Sequence, residues 1–114
     1  MLFEIKDIDK KTYEDQIRDF IPEKIIDIHT HVYLKEHKDC NMIKRLPNNW
    51  FDRVAKDQSI EDLLESYELL FPGKQITPLV FFAAVNLDLA EGNEFVGKVA
   101  EKHNFPALIF SKPT

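Results

Sequence analysis

The chain has 114 residues, of which 44% are hydrophobic and 31% are charged, and this balance is typical of a folded globular domain rather than a disordered segment. Its formal net charge is -5 and it contains no long basic run, so a nucleic-acid partner is not expected. Cys40 is the only cysteine, which excludes an internal disulfide and any multi-cysteine metal or iron–sulfur site.

The first predicted unit, residues 1–23, is an N-terminal arm followed by a helix. Asp9 can cap a helix over residues 10–20, because apolar side chains recur there on one face at helical spacing. Pro22 is expected to end this helix, since a proline disfavours helical geometry in the residue before it.

A strand and a long loop are predicted next. Residues 24–32 (KIIDIHTHV) are rich in isoleucine and other β-branched side chains, a composition that is typical of a strand. Residues 33–58 show little periodicity and contain a proline and many charges. We therefore expect a long loop there, with at most one helical turn.

Helices and strands alternate after this loop. Ser59 is expected to cap a helix, with Asp62 as the acid of a capping box. The apolar run at residues 78–85 (PLVFFAAV) predicts a strand that is covered on both faces. Asn93 is expected to cap the following helix, and residues 106–110 (PALIF) predict a third strand.

The order of these elements predicts an α/β domain over residues 24–114. Strands that alternate with helices are expected to run parallel and to be joined by right-handed crossovers. Three such strands with two crossover helices leave an edge on each side of the sheet and one sheet face thinly covered. We therefore expect the front part of a longer fold, or a truncated product.

The sharpest chemical signal is the motif Asp27-Ile28-His29-Thr30-His31 at the end of the first predicted strand. Side chains two residues apart in a strand project from the same face, so His29 and His31 can approach one metal ion from one side. Neutral imidazole is a good ligand for zinc. Asp27 is expected to point the same way, where it can bind the metal or orient a histidine. A hydrogen-bonded structural pair of histidines remains the alternative.

The segment IIDIHTHVYL resembles the opening strand of the amidohydrolase superfamily, and above all its amidohydrolase-related family of metal-dependent hydrolases and decarboxylases. The resemblance implies a (β/α)8 barrel, of which this chain supplies about three strands after an N-terminal helix. It also implies that His29 and His31 bind a catalytic divalent metal, zinc by expectation, with Asp27 in the acidic position of the motif.

The same resemblance implies hydrolysis of a C–N or C–O bond in a small molecule by metal-activated water, with decarboxylation as the alternative. The family also uses a histidine and an aspartate from later strands, which this chain lacks. We therefore expect the chain to be inactive alone. The loop at residues 33–58 would lie over the barrel mouth, which makes Arg45, Trp50 and Arg53 candidates for substrate binding, or simply residues of a solvated loop.

Two other interpretations stay open. The polymerase and histidinol phosphatase family begins with a similar motif, and so do the barrel deoxyribonucleases. Members of the phosphatase family usually continue with small and acidic residues, unlike Val32–Glu36 here. The second alternative is a non-catalytic fragment that associates through its open strand edges with the rest of a barrel or with a second copy.

The sequence predicts a cytoplasmic protein without a membrane partner. No apolar run reaches the roughly 18 residues that a membrane helix needs. Charges interrupt the N-terminal segment MLFEIKDIDKK, where a signal peptide would need an apolar core.

Overall fold

The computed structural model describes residues 3–34, 36, 57–82 and 89–113. Within these ranges the protein is a mixed α/β structure with three helices and a two-stranded parallel sheet. None of the described helices combines the length and the apolar character needed to cross a membrane. In chain order the elements are α1 (Asp7–Thr12, continued by a π-helical turn over Tyr13–Ile17), β1 (Lys24–His31), α2 (Ile60–Leu70), β2 (Gln75–Phe81) and α3 (Leu89–His103).

The N-terminal helix is present, but it starts and ends earlier than the sequence predicts. It begins at Asp7, and Asp9 contributes to the cap from inside the first turn, where its carboxylate accepts a 3.0 Å hydrogen bond from the backbone N–H of Lys6. The buried Tyr13 donates its hydroxyl to the carbonyl of Pro72 at 2.8 Å. This bond fastens the N-terminal unit to the turn after α2.

The predicted start of α2 is confirmed. The hydroxyl of Ser59 accepts the backbone N–H of Asp62 at 3.1 Å, and the Asp62 carboxylate accepts the backbone N–H of Ser59 at 3.3 Å. Two of the free N–H groups at the helix start are thereby satisfied reciprocally. The apolar stripe of the helix is buried at Ile60 and Leu63.

The role predicted for Asn93 is wrong. Helix α3 begins at Leu89, so Asn93 lies inside it rather than at its cap. Its side-chain amide instead donates to the carbonyl of Phe110 at 2.7 Å and accepts the backbone N–H of Phe110 at 2.9 Å. An asparagine amide carries both a donor and an acceptor, so it can bond the N–H and the C=O of one backbone residue at the same time.

The prediction of a strand at residues 106–110 is also wrong. The structure shows a single parallel bridge there, between Val80 and Ala107. Its two backbone hydrogen bonds run from Val80 to Pro106 and from Leu108 to Val80, each at 3.0 Å. The segment therefore lies beside β2 in the expected parallel direction, without forming a ladder.

One core joins the helices to one face of the sheet. Its buried side chains come from the ends of both strands and from α2 and α3, namely Val32, Ile60, Leu63, Val80, Phe82, Val96 and Val99. The helical spacing of Phe95, Val96, Val99 and Ala100 in the sequence predicts that they form the inward face of α3, and this is confirmed because all four belong to the core or pack against it. Helix α3 approaches the sheet so closely that a Cβ added at Gly92 would lie 2.7 Å from Cδ1 of Phe82.

Candidate metal centre

The candidate site begins with an irregularity in β1. Asp27 is paired with Pro78, but the next pair is Thr30 with Val80, so β1 advances three residues while β2 advances two. The two intervening residues of β1, Ile28 and His29, have no register partner. An extra residue of this kind interrupts the alternation of faces in a strand.

This shift puts the two histidines on the sheet face opposite to the core. Thr30 is buried beneath the helices, while His29 is exposed and His31 is half-buried on the other side. His31 is the last residue of β1, so the pair lies at the carboxyl end of a parallel strand. In open α/β sheets and barrels this is the end at which ligands bind.

The imidazoles of His29 and His31 converge. Their Nε2 atoms are 3.2 Å apart, and their ring centroids are 5.1 Å apart with the planes at 75°. Two nitrogens that bind one zinc ion at about 2.0–2.1 Å with tetrahedral angles lie about 3.3 Å apart. The observed separation therefore fits two ligands of a single ion. It also fits an N–H···N hydrogen bond between rings of different tautomers.

Phe81 of β2 supports both rings. Its ring centroid lies 5.3 Å from that of His29 and 4.3 Å from that of His31. Burial, and secondly the neighbouring His29, lower the pKa of the His31 ring below its ordinary value of 6.5, against a smaller raising effect of the Phe82 backbone. Nδ1 of His31 is buried without a well-aligned hydrogen bond. His31 is thus held as the neutral imidazole that metal binding requires.

Asp27 does not face the histidine rings, so the predicted direction of its side chain is wrong. The register shift places Asp27 on the face of Thr30, toward the helices. Its Oδ1 accepts the backbone N–H of His29 at 3.1 Å, and its Oδ2 accepts the hydroxyl of Tyr67 at 3.0 Å. Both carboxylate oxygens are therefore engaged on the side away from the converging nitrogens.

Tyr67 is the site residue that sequence reasoning missed. In the sequence it falls on one apolar stripe of α2 with Ile60 and Leu63, where a tyrosine is indistinguishable from a core residue. Burial and then Asp27, through its hydrogen bond and its charge, raise the pKa of the Tyr67 hydroxyl well above its ordinary value. A tyrosine one helical turn from the end of a crossover helix, opposite an acidic strand residue, is the only signal that could have suggested the contact.

No third ligand accompanies the pair in the part of the chain that the structure describes, where no group of three or more histidine, cysteine, aspartate or glutamate side chains is arranged to hold a metal. The predicted substrate residues Arg45, Trp50 and Arg53 lie outside the described residues. Tyr33 and Gln58, described residues on either side of the segment that carries them, are joined just beyond β1 by a pair of backbone hydrogen bonds of 2.9 and 3.0 Å.

Comparison of the chain with protein-family models, with curated proteins and with solved structures found no significant match.

Proposed function

We propose that this chain is the N-terminal, metal-binding segment of an amidohydrolase-like, metal-dependent hydrolase, and that His29 and His31 are two ligands of a divalent ion such as zinc. The observation that carries the proposal is the 3.2 Å separation of the two Nε2 atoms, which is the spacing expected of two imidazoles on one ion.

The sheet supports a partial (β/α)8 barrel as the setting of the site. The strands β1 and β2 are parallel neighbours, and the bridge at Ala107 extends the order in the same direction. The helices cover one sheet face, and the histidines project from the other. In a barrel the uncovered face is the interior, and ligands gather at the carboxyl ends of the strands.

A bound divalent metal would lower the pKa of a water molecule and polarise a substrate carbonyl. The residues of this chain would hold that ion: His29 and His31 would supply imidazole nitrogens, and Phe81 packs against both rings and keeps solvent from one side of them. Because catalytic zinc usually takes three protein ligands, two histidines alone should bind it weakly. The further ligands would come from later strands of a complete barrel.

We favour hydrolysis of a C–N or C–O bond in a small molecule over decarboxylation, because activated water is the more general use of such a metal. Arg45, Trp50 and Arg53 remain proposed substrate contacts, and an arginine there would suit a substrate carboxylate. The backbone pairing of Tyr33 and Gln58, which lie on either side of the segment that carries them, supports this position because Tyr33 closely follows His31.

A calorimetric titration of the metal-free chain with Zn²⁺ tests the proposal. We expect one weak site per chain and loss of that site in both His29→Ala and His31→Ala. His103→Ala is the matched control, because His103 is a histidine outside the pair, at the C-terminal end of α3, where it stacks on Phe105. Equal Zn²⁺ affinity in the wild type and in both site variants would show that the pair is structural.

A second candidate function is non-catalytic association through the uncovered part of the sheet. Ile26 and Ile28 of β1 are 69% and 72% exposed, which is unusual for isoleucine in a strand. Strand β1 has only one described neighbour, so its other edge is open to another chain. The partner would be the rest of a barrel or a second copy of this chain.

A further inference from the structure

The hydrogen bonds of Asp27 have no role in the proposed chemistry, yet they link the helices to the histidine pair. One carboxylate oxygen of Asp27 accepts the backbone N–H of His29 at 3.1 Å, and the other accepts the hydroxyl of Tyr67 at 3.0 Å. Tyr67 lies in α2, forty positions away in the sequence. A side chain on the core side of the sheet is thus connected directly to the backbone of a residue whose ring points the other way.

The bond to His29 occurs where the ladder of β1 and β2 is interrupted. Ile28 and His29 have no register partner, and an extra strand residue of this kind leaves backbone groups unpaired. The carboxylate of Asp27 supplies an acceptor for the N–H of His29. A side-chain acceptor two residues before a backbone N–H offers that group an alternative to a strand ladder, so this bond favours the irregular conformation of β1.

We propose that Asp27 and Tyr67 are positioning residues that hold the irregularity of β1 and thereby bring the imidazoles of His29 and His31 to a single ion. The inference rests on the proposed metal-binding function, but it concerns residues that would not touch the metal. A regular strand would put Asp27, His29 and His31 on one face. With the irregularity, Asp27 faces the helices while the two imidazoles lie on the other face, where their Nε2 atoms approach to 3.2 Å.

Tyr67 ties this arrangement to the core. Its ring packs against the buried cluster, and the same helix buries Ile60 and Leu63. Because burial and Asp27 raise the pKa of its hydroxyl, Tyr67 keeps its proton and remains a hydrogen-bond donor to the carboxylate at neutral pH. The position of the Asp27 carboxylate is therefore set by α2 as well as by β1.

The test is a titration of the full chain with Co²⁺ alone, whose d–d absorption reports both affinity and ligand geometry. Outer partners of metal ligands typically change metal affinity by about 10–100-fold when they are removed. We expect Tyr67→Phe to weaken Co²⁺ binding about tenfold and Asp27→Ala to weaken it further. Asp27→Asn, which keeps an oxygen for the N–H of His29, should recover most of the loss.

Tyr13→Phe is the matched control for a lost phenol hydroxyl. Tyr13 is buried and donates to the carbonyl of Pro72 at 2.8 Å, so its removal also costs one hydrogen bond. We expect this variant to lose thermal stability while its Co²⁺ affinity and absorption spectrum stay those of the wild type. An equal loss of Co²⁺ affinity in Tyr13→Phe would show that Tyr67→Phe acts only by lowering the stability of the whole chain, and this would overturn the inference.

NMR spectra of the metal-free chain separate this inference from the proposed function. The ring ¹⁵N signals of His29 and His31 and the amide proton of His29 should shift in Tyr67→Phe and in Asp27→Ala, and should not shift in Tyr13→Phe. If those signals move while the wild type binds no Co²⁺, the positioning role stands and the metal-binding function falls. Unchanged signals in both Asp27→Ala and Tyr67→Phe would overturn the positioning role.

Discussion

The surroundings of His31 favour the neutral imidazole that the proposed metal site needs. It ends β1, packs at 4.3 Å against the ring of Phe81 and lies 3.2 Å from the other imidazole nitrogen. Both partial burial and the presence of His29 disfavour the charged ring, and they lower its pKa below 6.5. A neutral imidazole has a free lone pair, so the same effects that oppose protonation favour a metal ligand.

The lowered pKa of His31 predicts a pH dependence of stability. The unfolded chain binds a proton at this residue as the pH falls below 6.5, whereas the folded chain still holds the ring neutral. The contribution of His31 to stability is therefore fully present above pH 6.5 and declines as the pH falls below that value, until the folded ring is also protonated.

Urea denaturation at about pH 7.5 and about pH 5.5 measures this effect. We expect the wild type to lose more stability between the two values than His31→Gln, which keeps a polar side chain but cannot be protonated. The same loss in both proteins would show that other groups cause the pH dependence.

At the scale of elements, the close contact between α3 and the end of β2 depends on the absence of a side chain at Gly92. Gly92 is buried in α3, and an added Cβ would lie 2.7 Å from Cδ1 and 2.9 Å from Cγ of the Phe82 ring. Phe82 is only 2% exposed, so its ring is enclosed by the core and cannot swing out into solvent. Gly97 of the same helix would have nothing within 4 Å of a Cβ.

These two glycines predict opposite effects of the same substitution. Gly92→Ala should destabilise the chain by about 1–3 kcal/mol, because overpacking outweighs the higher helix propensity of alanine. Gly97→Ala should stabilise it by about 0.5–1 kcal/mol, since only the propensity changes. Chemical denaturation of both variants gives the two free energies of unfolding, and a stabilising Gly92→Ala would contradict the close packing of α3 on β2.

At the scale of the whole molecule, the described structure has a well-covered sheet face and an uncovered one. Ile26 and Ile28 on β1 are largely exposed, and Leu108 and Ile109 in the segment after α3 are 51% and 70% exposed. Neighbouring apolar side chains left in water favour association with another apolar surface. The same surface would be the interior of a complete barrel in the proposed function.

The exposed isoleucines predict self-association that depends on concentration. Sedimentation velocity of the wild type should show larger species as the concentration rises, and the double variant Ile26→Lys, Ile28→Lys should stay monomeric. Ile8→Lys is the control, because Ile8 is 65% exposed on α1 and not on the sheet. A wild type that remains monomeric over the whole concentration range would count against the association.

Local patterns in the sequence were sufficient for the first strand, the capping box of α2 and the inward face of α3, because each depends on spacing within a few residues. They also identified His29 and His31 as the candidate pair. The convergence of the two rings, the direction of Asp27 and its bond to Tyr67 depend instead on the register between β1 and β2 and on the docking of α2. The role of Asn93 depends on folding in the same way, since its partner Phe110 lies 17 positions away in the sequence. Register and docking are set by the packing of segments that are distant in the sequence, and a one-residue shift exchanges the faces of a strand.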